Sequence, residues 1–389
     1  MMADYSVDVA IAPPPKLSLT LAVFALIGGI GTCASTVAPA LIPGLIAGKG
    51  LSPSLAGWVQ STELMCAAFA SLLLGPYLAK RSIHRIALIG CLATVALHVL
   101  SAFVRDAPAL IVLRAVAGVA EGACLCIGNM MVASQRDPDK IYAMVMAITA
   151  VVYGPILKLM STVWAQGSSV APFAILAAWT VLMAPLLIAK HEGLAVQSAH
   201  PQAPKVGAAR NLAPLLGLAA FAILNGGLWS FFGEIAVSIH VSASQTGTTL
   251  WVASVAGVAA ALGASILGLR IGRAPALLGG GAVWAVSTFA ILGTTSPSTL
   301  ALGFVLSTAS YYFVIPYIFG LFSSLDSSGK LLNAASSVNL IGTAIAPVIT
   351  GYIAGQGGFH STTWYPLITY VLMTALFAAS LKRAESGAA

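Results

Sequence analysis

The sequence predicts an all-α membrane protein whose twelve transmembrane helices form two pseudo-symmetric six-helix bundles. Three observations predict it. Of the 389 residues, 59% are hydrophobic and only 7% charged, against about 25% charged in soluble domains. Apolar runs long enough to cross about 30 Å of hydrocarbon recur along the whole chain. One polar stretch, 190–211, divides these runs six and six.

The apolar runs fall at approximately 17–47, 53–79, 84–104, 107–133, 140–164, 169–189, 212–239, 245–269, 274–293, 297–322, 330–355 and 362–381. Before the first, residues 1–16 are polar, with Asp4, Asp8 and Pro13-Pro14-Pro15, and the apolar run that follows is too long for a signal peptide. They are expected to be a cytoplasmic tail, as is 382–389. The bundles are expected at 17–189 and 212–381, joined by a linker containing His191, Glu192, His200, Pro201, Pro204, Lys205 and Arg210.

Basic residues set the orientation, because Lys and Arg are retained on the cytoplasmic side. With the N-terminus inside, fourteen of the eighteen fall on inner segments: Lys16, Lys80, Arg81, Arg85, Arg136, Lys140, Lys190, Lys205, Arg210, Arg270, Arg273, Lys330, Lys382 and Arg383. The outer loops hold Lys49 and Arg105, and two more lie within spans. This predicts an integral protein of a plasma membrane of the bacterial inner-membrane kind, with both termini cytoplasmic. The net charge of +7 therefore needs no acidic partner, and no basic run with interleaved aromatics suggests nucleic acid.

The halves also match each other at an offset of about 190 residues. Leu51 to Gly57 reads L-S-P-S-L-A-G and Val241 to Gly247 reads V-S-A-S-Q-T-G; Lys140 matches Lys330, and Ala107-Pro108 matches Ser296-Pro297. An internal repeat of this kind in a membrane indicates a transporter with its site between the halves. No nucleotide loop or metal spacing appears. Cys33, Cys66, Cys91, Cys124 and Cys126 all sit within apolar spans. No cofactor, metal or enzymatic activity is expected.

The chemistry is expected where charge lies inside a span, since each such residue costs roughly 2.5–3.5 kcal/mol on insertion scales. Span 4 carries Arg114 and Glu121 on one face, about 10 Å apart along the axis, too far to satisfy each other directly. By helical rise, Arg114 lies about 10 Å below the outer end, level with Lys158 of span 5 and close to Glu63 of span 2, with Glu121 alone beneath them. Arg114 is read either as an ion-pair partner of Glu63 or as a binding group, and Lys158 either as an anion binder or as a neutraliser of Glu63. Glu121 is the leading proton carrier, since a carboxyl held in low dielectric can exchange a proton during a cycle. Glu63 is read as an ion-pair or coupling group. His98 and His240 are read as packing or interfacial, and Glu234 as a gate or interfacial group. At midplane depth lie Tyr153, Asn225, Tyr311, Tyr312, Asn339 and Thr343, polar and aromatic groups suited to hold the body of a substrate.

These features together resemble the major facilitator superfamily, over essentially the whole chain. The loop G-P-Y-L-A-K-R-S-I-H-R, Gly75 to Arg85, is similar to that family's G-x-L-A-D-R-x-G-R-R: Gly75, Leu78, Ala79, Arg81 and Arg85 match, with Lys80 for the aspartate and Ile83 for the second glycine. Gly154-Pro155 is similar to its span-5 G-P-x-x-G pattern, with Lys158 and Leu159 where small residues stand in the family. Span 4 reads R-x-x-x-G-x-x-E-G through Arg114, Gly118, Glu121 and Gly122, similar to the organic anion:cation symporters and to spinster-like transporters. The resemblance implies alternating access by a monomer in the lipid bilayer, with the arginine in anion binding and the glutamate in proton coupling. The expected activity is proton-coupled uptake of a small organic anion, bound by Arg114, Lys158, Tyr153, Asn225, Tyr311, Tyr312 and Asn339, with Glu121 and Glu63 coupling the proton. The alternatives are a proton-coupled exporter of amphipathic or drug-like compounds and a nontransporting sensor with the same fold.

Overall fold

The structure is a computed structural model and describes residues 17–78, 82–133, 138–188, 208–325 and 330–386. The expected tail at 1–16, Ala79, Lys80 and Arg81 of the loop, Arg136, and linker residues 190–207 lie outside the described residues. Twelve long helices are present among the described residues. They are α1 (Ser18–Lys49), α2 (Pro53–Leu73), α3 (Ile83–Phe103), α4 (Ala107–Ala133), α5 (Pro138–Trp164) and α6 (Ala171–Ile188), then α7 (Ala208–Ser238), α8 (Ala243–Leu267), α9 (Arg273–Gly293), α10 (Pro297–Leu325), α11 (Lys330–Gly357) and α12 (Tyr365–Ser386). Ten are long and apolar enough to cross a membrane by length and composition; α2 and α12 are the other two. The all-α fold of two six-helix halves expected from the sequence is the one observed. Span 2 ends earlier than expected: α2 stops at Leu73, and Gly75-Pro76 starts a separate turn, Gly75–Leu78, because a proline disfavours helical backbone just before it.

The internal repeat is visible at the helix starts. Ser52 caps α2 by accepting from Leu55 N, with Pro53 in the first turn, and Ser242, its counterpart in the repeat, caps α8 in a capping box with Gln245. Each side-chain oxygen satisfies a backbone N–H that the helix cannot.

α1 is not a uniform helix. Ala25–Gly31 forms a π-helical segment within it, at the glycine-rich run I-G-G-I-G where the backbone is least restrained. Its displaced carbonyls are taken up by side chains: Thr32 Oγ1 donates to Ile27 O (2.9 Å) and Tyr153 Oη to Gly28 O (2.6 Å). Trp179 Nε1 donates in turn to Tyr153 Oη (3.0 Å). Tyr153→Phe leaves the Gly28 carbonyl and the Trp179 N–H without this partner, and is expected to cost about 1–3 kcal/mol. A lower unfolding temperature in detergent, with Trp179→Phe adding little further loss, checks this.

The two halves meet on the side remote from the chain termini. There the core runs continuously from α1 into Phe231, Phe232 and Ile235 of α7 and Phe304 of α10, whereas Leu218, Phe221, Trp284 and Phe377 form a separate core of the second half. Glycines allow the backbones to cross closely on that side. A Cβ on Gly57 (α2) would strike the Pro347 carbonyl of α11, one on Gly351 (α11) the Pro53 carbonyl, and one on Gly233 (α7) the Pro39 carbonyl of α1. Gly247 of α8 lies against the backbone of Lys158, and Gly154 of α5 against the Trp251 ring. Across this seam Val348 N donates to Ser61 Oγ (2.9 Å) and Trp229 Nε1 to Ser35 O (2.9 Å).

Candidate functional site

Beneath the seam, between the halves, lies a cavity of about 330 Å³. α1 contributes Thr32, Ser35 and Thr36; α5 contributes Tyr142, Thr149 and Tyr153; α7 contributes Asn225 and Trp229; α10 and α11 contribute Tyr311, Tyr312, Asn339 and Thr343. The lining is mostly apolar, with Leu64, Leu125, Met146 and Leu340 among hydroxyls, amides and aromatic rings, and among the described residues it contains no charged side chain. The second half holds its polar groups through a ladder of rings. Trp284 packs edge-on to Phe221 (centroids 4.6 Å), Phe221 stacks on Tyr311 (5.3 Å), and Tyr311 meets Tyr312 edge-on (5.7 Å). The polar tips of this ladder end on the cavity amides: Trp284 Nε1 donates to Asn225 Oδ1 (3.2 Å) and Tyr311 Oη to Asn339 Oδ1 (3.3 Å).

The intramembrane charges form a second, separate cluster inside the first half. Arg114 is 0% exposed, Glu63 0% and Glu121 1%. Arg114 Nη2 pairs with Glu63 Oε1 and lies 3.6 Å from Glu121 Oε1. Its Nη1 donates to His98 Nδ1 (3.1 Å) and to Ser101 Oγ (3.2 Å). The guanidinium also lies 5.5 Å from the centre of the Phe173 ring, a cation–π contact. The span-4 pattern explains this assembly. A Cβ on Gly118 would overlap the Glu63 carbonyl, and one on Gly122 the Ala67 carbonyl. The glycines thus let α2 lie directly on α4, which brings Glu63 to the arginine one turn above.

Several sequence expectations are corrected by this geometry. Glu121 does not sit alone, and it is not out of Arg114's reach. The axial separation counts only backbone rise, whereas the glutamate side chain tilts back toward the helix N-terminus and the long arginine spans the remainder. Lys158 does not join the layer of Arg114 and Glu63. It lies five residues from Tyr153, about 140° around the helix, and is exposed while Tyr153 faces inward. Arg114 and Lys158 are both absent from the described cavity lining, whereas Tyr153, Asn225, Tyr311, Tyr312 and Asn339 are in it. His98, expected to be a packing or interfacial histidine, joins the charge cluster, its Nε2 3.7 Å from Glu121 Oε1. The spacing of His98 and Ser101, one turn apart in the outer half of a mostly apolar span, is the signal that could have found both. Glu234 is half-buried near the far end of α7, and His240 is exposed in the turn after it, with φ 61°.

Two six-helix halves joined on one side, with a solute-sized cavity between them at the helix midpoints, are the architecture of a membrane transporter. The chain belongs to the Major Facilitator Superfamily, whose family profile matches residues 19–214, just over half of the sequence. It is a transporter and not an enzyme. No curated protein matches the sequence significantly. Among solved structures, the nucleoside transporter NupG superposes with a TM-score of 0.71 at 15% identity, over 93% of this chain and 98% of that one. A D-xylose–proton symporter superposes with 0.71 at 16% identity, over 92% and 96%. The human organic anion transporter MFSD10 superposes with 0.61 at 16% identity, over 93% and 100%. These likenesses establish the fold.

Proposed function

We propose that this transporter couples the uptake of a small polar organic solute to protons, with the proton held at Glu63, Arg114 and Glu121 and the solute in the central cavity. The observation that carries the reading is one buried guanidinium facing two buried carboxylates. One positive charge offsets one negative charge. A second carboxylate without water around it is costly to ionise, so the cluster is held at lowest cost with one proton bound. The distribution of basic residues argues for cytoplasmic termini, which would put the close helix crossings of the seam on the outer side. A solute and a proton entering together from outside, and leaving separately inside, give uptake.

The neutral lining supports a solute recognised by hydroxyls, amides and rings, and the resemblance in fold to a nucleoside transporter and a D-xylose–proton symporter agrees with this. An organic anion, expected from the span-4 pattern, is the second reading. It is favoured by amide donors in the cavity wall, but not by Arg114, which is committed to its carboxylates in this conformation.

The test is flux in proteoliposomes with an imposed pH gradient, using a labelled pentose, a nucleoside and benzoate. Glu121→Gln is expected to abolish accumulation against a gradient while sparing exchange of solute for solute. Gradient-driven accumulation that persists in both Glu121→Gln and Glu63→Gln would sink the coupling scheme.

A further inference from the structure

The orientation of two amides in the cavity wall carries information about the solute. Trp284 is 0% exposed, and its indole nitrogen can only donate. The atom of Asn225 that meets it at 3.2 Å is therefore the carbonyl oxygen, which turns the Asn225 NH₂ group the other way. Tyr311, fixed between Phe221 and Tyr312, donates its hydroxyl to the carbonyl oxygen of Asn339 (3.3 Å); a phenol can accept as well as donate, so the amide whose orientation is enforced by its partner is Asn225. Both asparagines line the cavity. Among the described residues, neither NH₂ group has a protein acceptor. The two helices that carry them are in close contact: a Cβ on Gly226, next to Asn225, would come within 3.0 Å of Thr343 Cα on α11. Thr343 Oγ1 donates to the Asn339 backbone oxygen (2.9 Å), so this hydroxyl also spends its hydrogen within the helix.

We infer that the α7–α11 wall is a donor-presenting subsite, in which Asn225 and Asn339 select a solute bearing hydrogen-bond acceptors, a carbonyl or a carboxylate, beside a flat apolar body. Both asparagines are half-buried, and donors that a bound solute covers without pairing are costly, so a solute that offers only donors at this wall leaves them unsatisfied and is rejected. The rings beside the amides, Tyr311 and Tyr312, give the apolar body a surface. The inference rests on the proposed function only in taking the central cavity as the solute site.

Calorimetric titration of the full chain in nanodiscs tests it with three probes of one ring each. Acetophenone offers only a carbonyl oxygen, benzoate offers a carboxylate, and aniline offers an N–H donor. At least one acceptor probe is expected to bind about tenfold or more tightly than aniline, the worth of one hydrogen bond. Preference for acetophenone identifies a neutral carbonyl solute, and preference for benzoate a carboxylate. Asn225→Asp, which replaces donors with acceptors in the same shape, is expected to weaken the acceptor probe about tenfold or more. Asn225→Leu provides the same loss without a new charge. Trp284→Phe releases the amide to rotate and is expected to narrow the gap between probes. Binding of aniline as tight as the acceptor probes, unchanged affinity in both Asn225 variants, or no binding by any probe overturns the inference. Proton-driven flux is a separate readout: acceptor selectivity without it removes the coupling scheme alone, and flux without the selectivity removes this subsite alone.

Discussion

Arg114→Met is expected to be the most damaging single substitution in the chain. It strands Glu63 and Glu121 in the interior of the first half and also removes the donor to His98 Nδ1 and Ser101 Oγ. Breaking a buried ion pair by removing one partner costs about 3–5 kcal/mol, because the other charge is left without compensation. The size of the loss follows from what remains, and so does its remedy. Adding Glu63→Gln and Glu121→Gln to Arg114→Met removes the stranded charges and is expected to recover most of the stability while leaving coupling absent. Thermal unfolding in detergent checks the first part and gradient-driven flux the second. If the single variant is as stable as the triple, the charges are not the source of the loss.

Gly57→Leu is expected to change the conformational balance instead of the stability of either half. The carbon it adds is directed at the backbone carbonyl of Pro347. A backbone atom cannot yield as a flexible side chain can, so the helices must part. Overpacking of this kind costs about 1–3 kcal/mol, applied only to the arrangement in which α2 and α11 touch. The population with the outer side open is then expected to rise roughly tenfold. In a cysteine-free background, Ser35→Cys places a thiol in the cavity, and its alkylation rate by an impermeant reagent from the side remote from the termini measures that opening. An unchanged rate would mean the crossing is not part of the seal.

Much of the architecture is legible in the sequence, because the bilayer imposes lengths that a chain cannot avoid. The twelve apolar runs correspond to twelve helices, and the serine match between the two halves marks two equivalent caps at Ser52 and Ser242. The groups at midplane depth in the second half do line the cavity. Depth is a poorer guide in the first half, since it says nothing of rotation about the helix. Tyr153 and Lys158 share one helix, yet only the tyrosine faces inward. The reach of side chains is also invisible to a count of backbone rise, which sets Arg114 and Glu121 too far apart to meet. The π-helical segment is marked by its glycines, but a run of glycines in a membrane helix reads equally as close packing. The partners that make it a defined structure, Tyr153 and Trp179, lie more than a hundred residues away.

The sealing of one arginine against two carboxylates, with no charge in the cavity wall among the described residues, also assigns the electrical work of the proposed cycle. With its proton bound, the cluster is neutral, so the step that carries proton and neutral solute across together moves no net charge. The return of the empty transporter moves one negative charge outward, and it is this step that feels the membrane voltage, by about 2.3 kcal/mol per 100 mV for a full crossing. A negative interior therefore drives the reset of the transporter, leaving the loaded passage to concentration alone.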